Sequence, residues 1–272
     1  MKTITESTAA LLEAVRKTVP LVHNITNYVT VNDVANALLA IGASPIMADD
    51  VAETEDITGI AAALVLNIGT LNQRTVASML ASGKRANACG IPVILDPVGA
   101  GASKLRNDVT KKLLDEVQVT ILRGNLSEIS FVAGLKVATK GVDAAAADAG
   151  NDSSTIAKEV ARRLKCMTAI TGAQDVISDG QRLVKITNGH EILSKVTGTG
   201  CMTTALIGAL AGAGQDYFSA AVGGVAAMGI AGEIAFEKAG NLGTGSFHIA
   251  LIDAISHLDS SILLERAALY EE

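Results

Sequence analysis

Between residues 20 and 175, short aliphatic runs alternate with segments whose apolar positions recur every three to four residues. The runs at 21–25, 45–48, 63–68, 92–95, 119–122 and 168–170 have strand length. Most are nearly continuous in Val, Ile, Leu and Ala instead of alternating with polar residues. A strand buried on both faces reads this way, as in a parallel sheet covered by helices. Helical spacing fills 31–41, 73–89, 105–117, 127–132 and 155–164. Thr30 stands where an N-cap belongs for the first of these and Gly42 where it must stop; Asn72 and Gly90 bracket the second.

Beyond residue 170 the pattern changes. The segments 175–178 and 182–187, joined by Asp179-Gly180, read as a β-hairpin that adds an antiparallel edge to the sheet. Helical patterns then occupy 200–211, 217–238 and 246–258. All four prolines lie at or before Pro97, so glycines make the later breaks. The Ala/Gly/Asp-rich stretch 141–152 reads as a surface loop, and nothing else resembles a linker or a repeat. The expectation is one α/β domain over residues 1–272, with a mostly parallel sheet between two helical layers. The uncharged run 218–232 and the Gly208/Gly212 pair resemble a membrane segment, but Asp216 and Glu233 bracket the run more closely than the ~20 residues a span requires. A buried helix is expected there, and no membrane partner.

Composition narrows the function. Hydrophobic residues make up 49% of the 272 residues and charged ones 18%, which excludes a disordered chain. With no Trp, 3 Tyr and 4 Phe, the chain lacks stacking platforms for single-stranded nucleic acid, and a net charge of −6 opposes binding to duplexes. Cys89, Cys166 and Cys201 form no CxxC pair, which points to a reducing compartment. The first 18 residues are amphipathic and charged, unlike a signal peptide. A cytoplasmic protein follows.

In an open α/β sheet, ligands bind beyond the carboxyl ends of the strands. Polar and glycine residues follow the strands at Thr26-Asn27, Asp49, Gly69-Thr70, Asp96-Pro97, Arg123-Gly124-Asn125 and Thr171-Gly172. The strongest element is Thr197-Gly198-Thr199-Gly200-Cys201, which opens an apolar helix. Glycines at a helix start let several backbone N–H groups converge on one anion, aided by the helix dipole. Neither GxxxxGK[ST] nor an early GxGxxG occurs, and GxSxG and HExxH are absent. Asp96 and Glu128 are candidate Mg²⁺ carboxylates, although Glu128 three residues after Asn125 also fits a capping box. Arg123 either clamps a phosphate or pairs with a neighbouring acid. Cys201, at a helix N-terminus, has a setting that can lower a thiol pKa.

LVHNITNYV, IGASPIMA, ALVLNIGTL, PVILDPVGAGAS, LRGNLSEI, AITG, VTGTGC and GTGSF stand in this order over residues 21–247. The series resembles the hydroxyethylthiazole kinase family of thiamine salvage, within the ribokinase-like superfamily. The resemblance implies a ribokinase-like three-layer fold, phosphorylation of a thiazole alcohol by ATP, Mg²⁺ as cofactor, and a homotrimer with active sites between subunits. It assigns Met47 and Asn27 to the thiazole pocket, Gly198 to substrate, Arg123 and Thr171 to ATP, and Asp96 and Glu128 to the metal. Gly198, Gly200 and Cys201 become the catalytic turn. Most ribokinase-like enzymes carry Asp where this chain has Cys201, so the base stays open between the cysteine and no strong base at all. A kinase for another hydroxymethyl heterocycle or a sugar, a nucleotide sensor and a thiol hydrolase remain the competing readings.

Overall fold

Alternate residues of each aliphatic run face opposite sides of one sheet, as the two-residue period of a strand requires. The computed structural model describes residues 2–135 and 153–272; the stretch 141–152, expected as a surface loop, lies outside the described residues. Strands β1 (Leu21–Ile25), β2 (Ser44–Ile46), β3 (Ala63–Asn67), β4 (Val93–Asp96), β5 (Ile121–Asn125) and β6 (Met167–Thr171) are parallel. The antiparallel β7 (Asp175–Ser178), β8 (Leu183–Ile186) and β9 (Leu269–Glu271) complete the order β2-β1-β3-β4-β5-β6-β7-β8-β9.

Within β3, Ala63 and Val65 enter one core while Leu64 and Leu66 enter the other. The first core lies under α1 (Ile4–Thr18), α2 (Val31–Ile41), α8 (Thr199–Ala213), α9 (Tyr217–Ala239), α10 (Thr244–His257) and α11 (Ser260–Arg266). On the opposite face run α3 (Thr54–Ile60), α4 (Gln73–Cys89), α5 (Lys104–Glu116), α6 (Leu126–Ala133) and α7 (Ser153–Leu164). The mixed α/β, three-layer arrangement expected from the periodicity is the one observed.

Small residues let the first layer sit close. A Cβ on Gly224 of α9 would stand 2.5 Å from Ile207 of α8, and one on Gly208 of α8 would stand 2.6 Å from Val65 of β3. This contact replaces the bulk that aromatics supply in other cores. The segment Tyr217–Leu242 is long and apolar enough to cross a membrane, but 89% of its most apolar stretch is buried inside the protein.

Several boundaries differ from the sequence reading. The strand expected at 119–122 lies at Ile121–Asn125, because a parallel ladder pairing Arg123, Gly124 and Asn125 with Ala169, Ile170 and Thr171 holds polar residues in extended form. Thr30 occupies the N-cap position of α2 without a side-chain capping bond, whereas Asn72 forms a full capping box with Thr75. Helices α3 and α11, the 3₁₀ turn Glu191–Lys195 and the edge strand β9 were not anticipated. Short elements like these are set by the surface they pack on and carry little periodic signal of their own.

Candidate active site

The strand order reverses at β1, which has β2 on one side and β3 on the other. Ligands in open α/β sheets bind outside the carboxyl ends of strands at such a switch point. A cleft of about 270 Å³ opens there, lined among others by Asn24, Thr26, Met47, Asp49, Thr70 and Arg74. A second cleft of about 130 Å³ lies over β5 and β6, where Arg123, Thr171, Asp175, Thr199 and Gly200 face apolar Met228.

A buried polar network separates the two. Asn67, the last residue of β3, donates from Nδ2 to Asp96 Oδ2 (2.9 Å) and to Cys201 Sγ (3.3 Å). Asn27 donates to Asn67 Oδ1 (3.0 Å) and likewise to Cys201 Sγ (3.3 Å). The Thr204 hydroxyl on α8 donates to Asp96 Oδ2 (2.8 Å). Asp96 is fully buried, and its Oδ1 has no hydrogen-bond partner. Amide donors converge on the cysteine sulfur, so Cys201 is held as an acceptor.

The glycine turn has the geometry that the sequence implied. Gly198 takes φ +89° at the N-cap of α8 with no side chain capping the helix. Amides in the first turn of a helix have no acceptor within it, so those of Thr199, Gly200 and Cys201 are directed at the space before α8. The Arg123 guanidinium lies across this turn: a Cβ on Gly200 would stand 2.7 Å from Arg123 Nη1. Arg123 also reaches Thr171 Oγ1 (2.5 Å) and Asp96 Oδ2 (3.6 Å). Its Nε is buried without a partner. The competing assignments of Arg123, ion pair or phosphate clamp, are therefore compatible: one edge faces Asp96 while the group spans the cleft.

Buried acids outnumber this cation. Burial pushes the Asp96 carboxyl above its ordinary range, against Arg123 and the hydrogen bonds that lower it. Glu128 is pushed up to about 7 by burial and by the charge of Asp96. Asp175 is pushed up to about 7 by burial, although it accepts from Gly172 N (2.9 Å). Burial, with Asp96 nearby, also raises the Cys201 pKa. The lowering that a helix N-terminus can produce does not prevail here, and the thiol stays protonated at neutral pH.

A divalent cation fits this surplus of carboxyls. The orphaned Asp96 Oδ1 offers one direct ligand. Both Glu128 oxygens already accept backbone N–H groups, from Gly99 (2.7 Å) and Asn125 (2.8 Å), with Asn125 and Glu128 forming the capping box suggested by their spacing. Among the described residues no group of three or more His, Cys, Asp and Glu side chains is arranged to hold a metal. One or two carboxylates completed by water and substrate phosphate is the usual pattern for Mg²⁺.

Of the residues singled out from sequence, Met47 lines the first cleft, and Arg123, Thr171 and Gly200 line the second. Asp96 and Cys201 stand between them, with Glu128 behind the Gly99 turn. Asn27, expected on the wall of the thiazole pocket, is 4% exposed and directs its amide inward to Asn67 and Cys201. Gly198 packs toward Thr30 and lines neither cleft. Sequence reading passed over Asn67, Thr204 and Asp175. Asn67 left a signal, a single amide closing the aliphatic run ALVLN; Thr204, one hydroxyl in a helix of small residues, left none.

The three-layer fold is that of the ribokinase-like kinases. The structure of pyridoxal kinase from Staphylococcus aureus bound to AMP-PCP shares it with a TM-score of 0.60 over 79% of this chain and 88% of that one, at 15% identity. The chain belongs to the hydroxyethylthiazole kinase family, whose model matches residues 12–261. It is 61% identical over 272 residues to the hydroxyethylthiazole kinase of Ruminiclostridium cellulolyticum, covering 100% of both chains. The solved hydroxyethylthiazole kinase from Pyrococcus horikoshii matches 98% of this chain and 99% of its own, with a TM-score of 0.89 and 39% identity. The reaction is accordingly the ATP-dependent phosphorylation of the primary alcohol of 4-methyl-5-(2-hydroxyethyl)thiazole.

Proposed function

We propose that the thiazole alcohol occupies the cleft at the switch point, that ATP enters the cleft over β5 and β6, and that transfer occurs at the glycine turn between them. The buried Asn27–Asn67–Asp96–Cys201 network joining the two clefts carries this reading. Met47 supplies a polarizable wall for the sulfur heterocycle. Arg123 and Thr171 orient the nucleotide phosphates. The amides of Thr199, Gly200 and Cys201 face the transferring group, where charge spreads over its oxygens.

In the reaction the alcohol oxygen bonds to the γ-phosphorus while the bond to the β-phosphate oxygen of ATP breaks. The alcohol proton leaves late, to an oxygen of the transferred phosphoryl group and then to solvent. The transition state is loose, so positioning and charge stabilisation outweigh a strong base. A protonated Cys201 thiol is consistent with this: its part is to accept from Asn27 and Asn67 and to keep the turn in register. Mg²⁺, when bound, would neutralise charge on the phosphates. Asp96 and Glu128 would be the acids that hold it.

Three broader assignments belong to the same reading. Residues 1–272 form one domain. The enzyme is a homotrimer with sites between subunits, an assignment supported by Tyr28, Val29 and Ile60, exposed at 78%, 55% and 70%, with Tyr28 beside the substrate cleft. It works in the cytoplasm, where its three free cysteines stay reduced. Full activity in a species that light scattering measures as a monomer would refute the intersubunit sites. The principal test is ADP release measured with thiazole alcohol, hydroxymethylpyrimidine and ribose as competing acceptors. Turnover should be greatest with the thiazole, and faster turnover of ribose would overturn the substrate assignment.

A further inference from the structure

Arg106, in the first turn of α5, commits its guanidinium to backbone carbonyls of two different strand-end loops. Nη1 donates to Ile68 O (2.7 Å) and Val98 O (2.5 Å), and Nη2 donates to Gly69 O (2.7 Å). The first loop follows β3 and the second follows β4. A guanidinium presents its donors in a fixed planar fork, whereas an ammonium is a point charge on a flexible stem, so only arginine is suited to bridge three carbonyls in a set geometry.

Both loops lead directly to the site. In the first, Gly69 N donates to Asn67 Oδ1 (2.9 Å), and Asn67 holds Asp96 and Cys201. Thr70 then continues into the wall of the substrate cleft. In the second, Gly99 follows Asp96 by three residues and its N–H holds Glu128 (2.7 Å). Gly99 adopts φ +72°, and a Cβ there would stand 3.1 Å from Arg106 Cδ, so this turn is shaped around the arginine. We infer that Arg106 is a positioning residue for phosphoryl transfer. It sets the distance between the alcohol cleft and the acids Asp96 and Glu128 without touching substrate. The inference rests on the roles given to those acids above.

The nucleotide side is held by Arg123, Thr171 and the α8 turn, none of which bonds to Arg106. Removing the tie should therefore affect turnover more than ATP affinity. Arg106→Ala and Arg106→Lys, assayed with both substrates saturating, should lose about 10- to 100-fold in kcat, the scale of a misplacement near 1 Å. KM for ATP should move by less than about threefold. Methylguanidinium should restore part of kcat to Arg106→Ala, and methylammonium should not. Hydrogen exchange at the Gly69 and Gly99 amides should quicken in both variants at a temperature well below the cooperative melt of each, where both are folded. If Arg106→Ala does not fold, Arg106→Lys carries the same measurements.

Wild-type kcat, a loss borne wholly by KM for ATP, or unchanged exchange at Gly69 and Gly99 would overturn the assignment. If the wild-type protein failed to phosphorylate thiazole alcohol, the substrate reading would fall. The exchange measurement needs no substrate and would still decide whether Arg106 ties the two loops.

Discussion

Asn67 Nδ2 lies 2.9 Å from Asp96 Oδ2, and the strands that carry them, β3 and β4, pair these two residues directly in register. Adjacent parallel strands therefore place an amide beside a buried carboxyl group at the carboxyl edge of the sheet. Because the second amide hydrogen points at Cys201 Sγ, one side chain fixes the acid and the thiol together.

Removing that amide should disturb both partners. Asn67→Ala removes one bond each from Asp96, Cys201 and Asn27, which keep Thr204, Asn27 and Cys201 respectively. It leaves Gly69 N without its acceptor, at a cost of about 1–3 kcal/mol for such an unsatisfied group. The melting temperature should fall and kcat should drop at least tenfold. The double variant with Asp96→Asn should lose less than the sum of the single losses, because the two residues form one network. A double-mutant cycle in kcat and in denaturant midpoint measures this; strict additivity would count against the network.

Asp96→Asn tests the acid itself. An amide oxygen can still accept from Asn67 and Thr204, so the fold should persist, with little change in melting temperature. The orphaned Oδ1 position would lose its negative charge, and kcat should fall by at least about 10², with thiazole binding nearly unchanged. Activity near wild type at limiting Mg²⁺ would remove Asp96 from the site.

Cys201 should prove dispensable as a base. A residue acting as obligatory general base contributes about 10²–10⁴ in turnover. Cys201→Ala should lose less than about 10², and Cys201→Ser less again, because the amides of the turn remain. The raised thiol pKa also predicts chemistry: at pH 7 an alkylating reagent should modify exposed Cys89 before Cys201, read by mass spectrometry of the peptides. A larger collapse with folding and assembly intact would make the cysteine the base.

Asp175 should shape the pH dependence of stability. Its pKa rises from an ordinary 3.8 to about 7 on folding, through burial. The folded state then holds its proton more tightly than the unfolded state, so this contribution is complete below pH 4 and is lost as pH rises to 7. Asp175→Asn keeps the acceptor for Gly172 N and carries no charge to bury. The variant should melt with the wild type near pH 4 and be more stable above pH 7, by on the order of 1–3 kcal/mol. Equal melting curves at pH 8 would show that the carboxyl is not penalised there.

The sequence by itself determined the layer architecture and the edge of the sheet at which its polar residues gather. Continuous aliphatic runs cannot stay in water, so they demanded a sheet covered on both faces, and the polar residues after them could only gather at its carboxyl edge. It also determined the glycine turn, because only glycine takes the positive φ of Gly198 at the start of α8 without steric cost. Tertiary structure decided which polar residues meet. Asn67 closes an aliphatic strand, Asn27 follows another, and Cys201 lies 134 residues beyond Asn67; only the strand order and the docking of α8 bring them within hydrogen-bonding distance. It decided charge as well. A cysteine at a helix start can be acidic, yet burial beside Asp96 raised its pKa, because desolvation depends on every atom packed around the sulfur and local sequence specifies few of them.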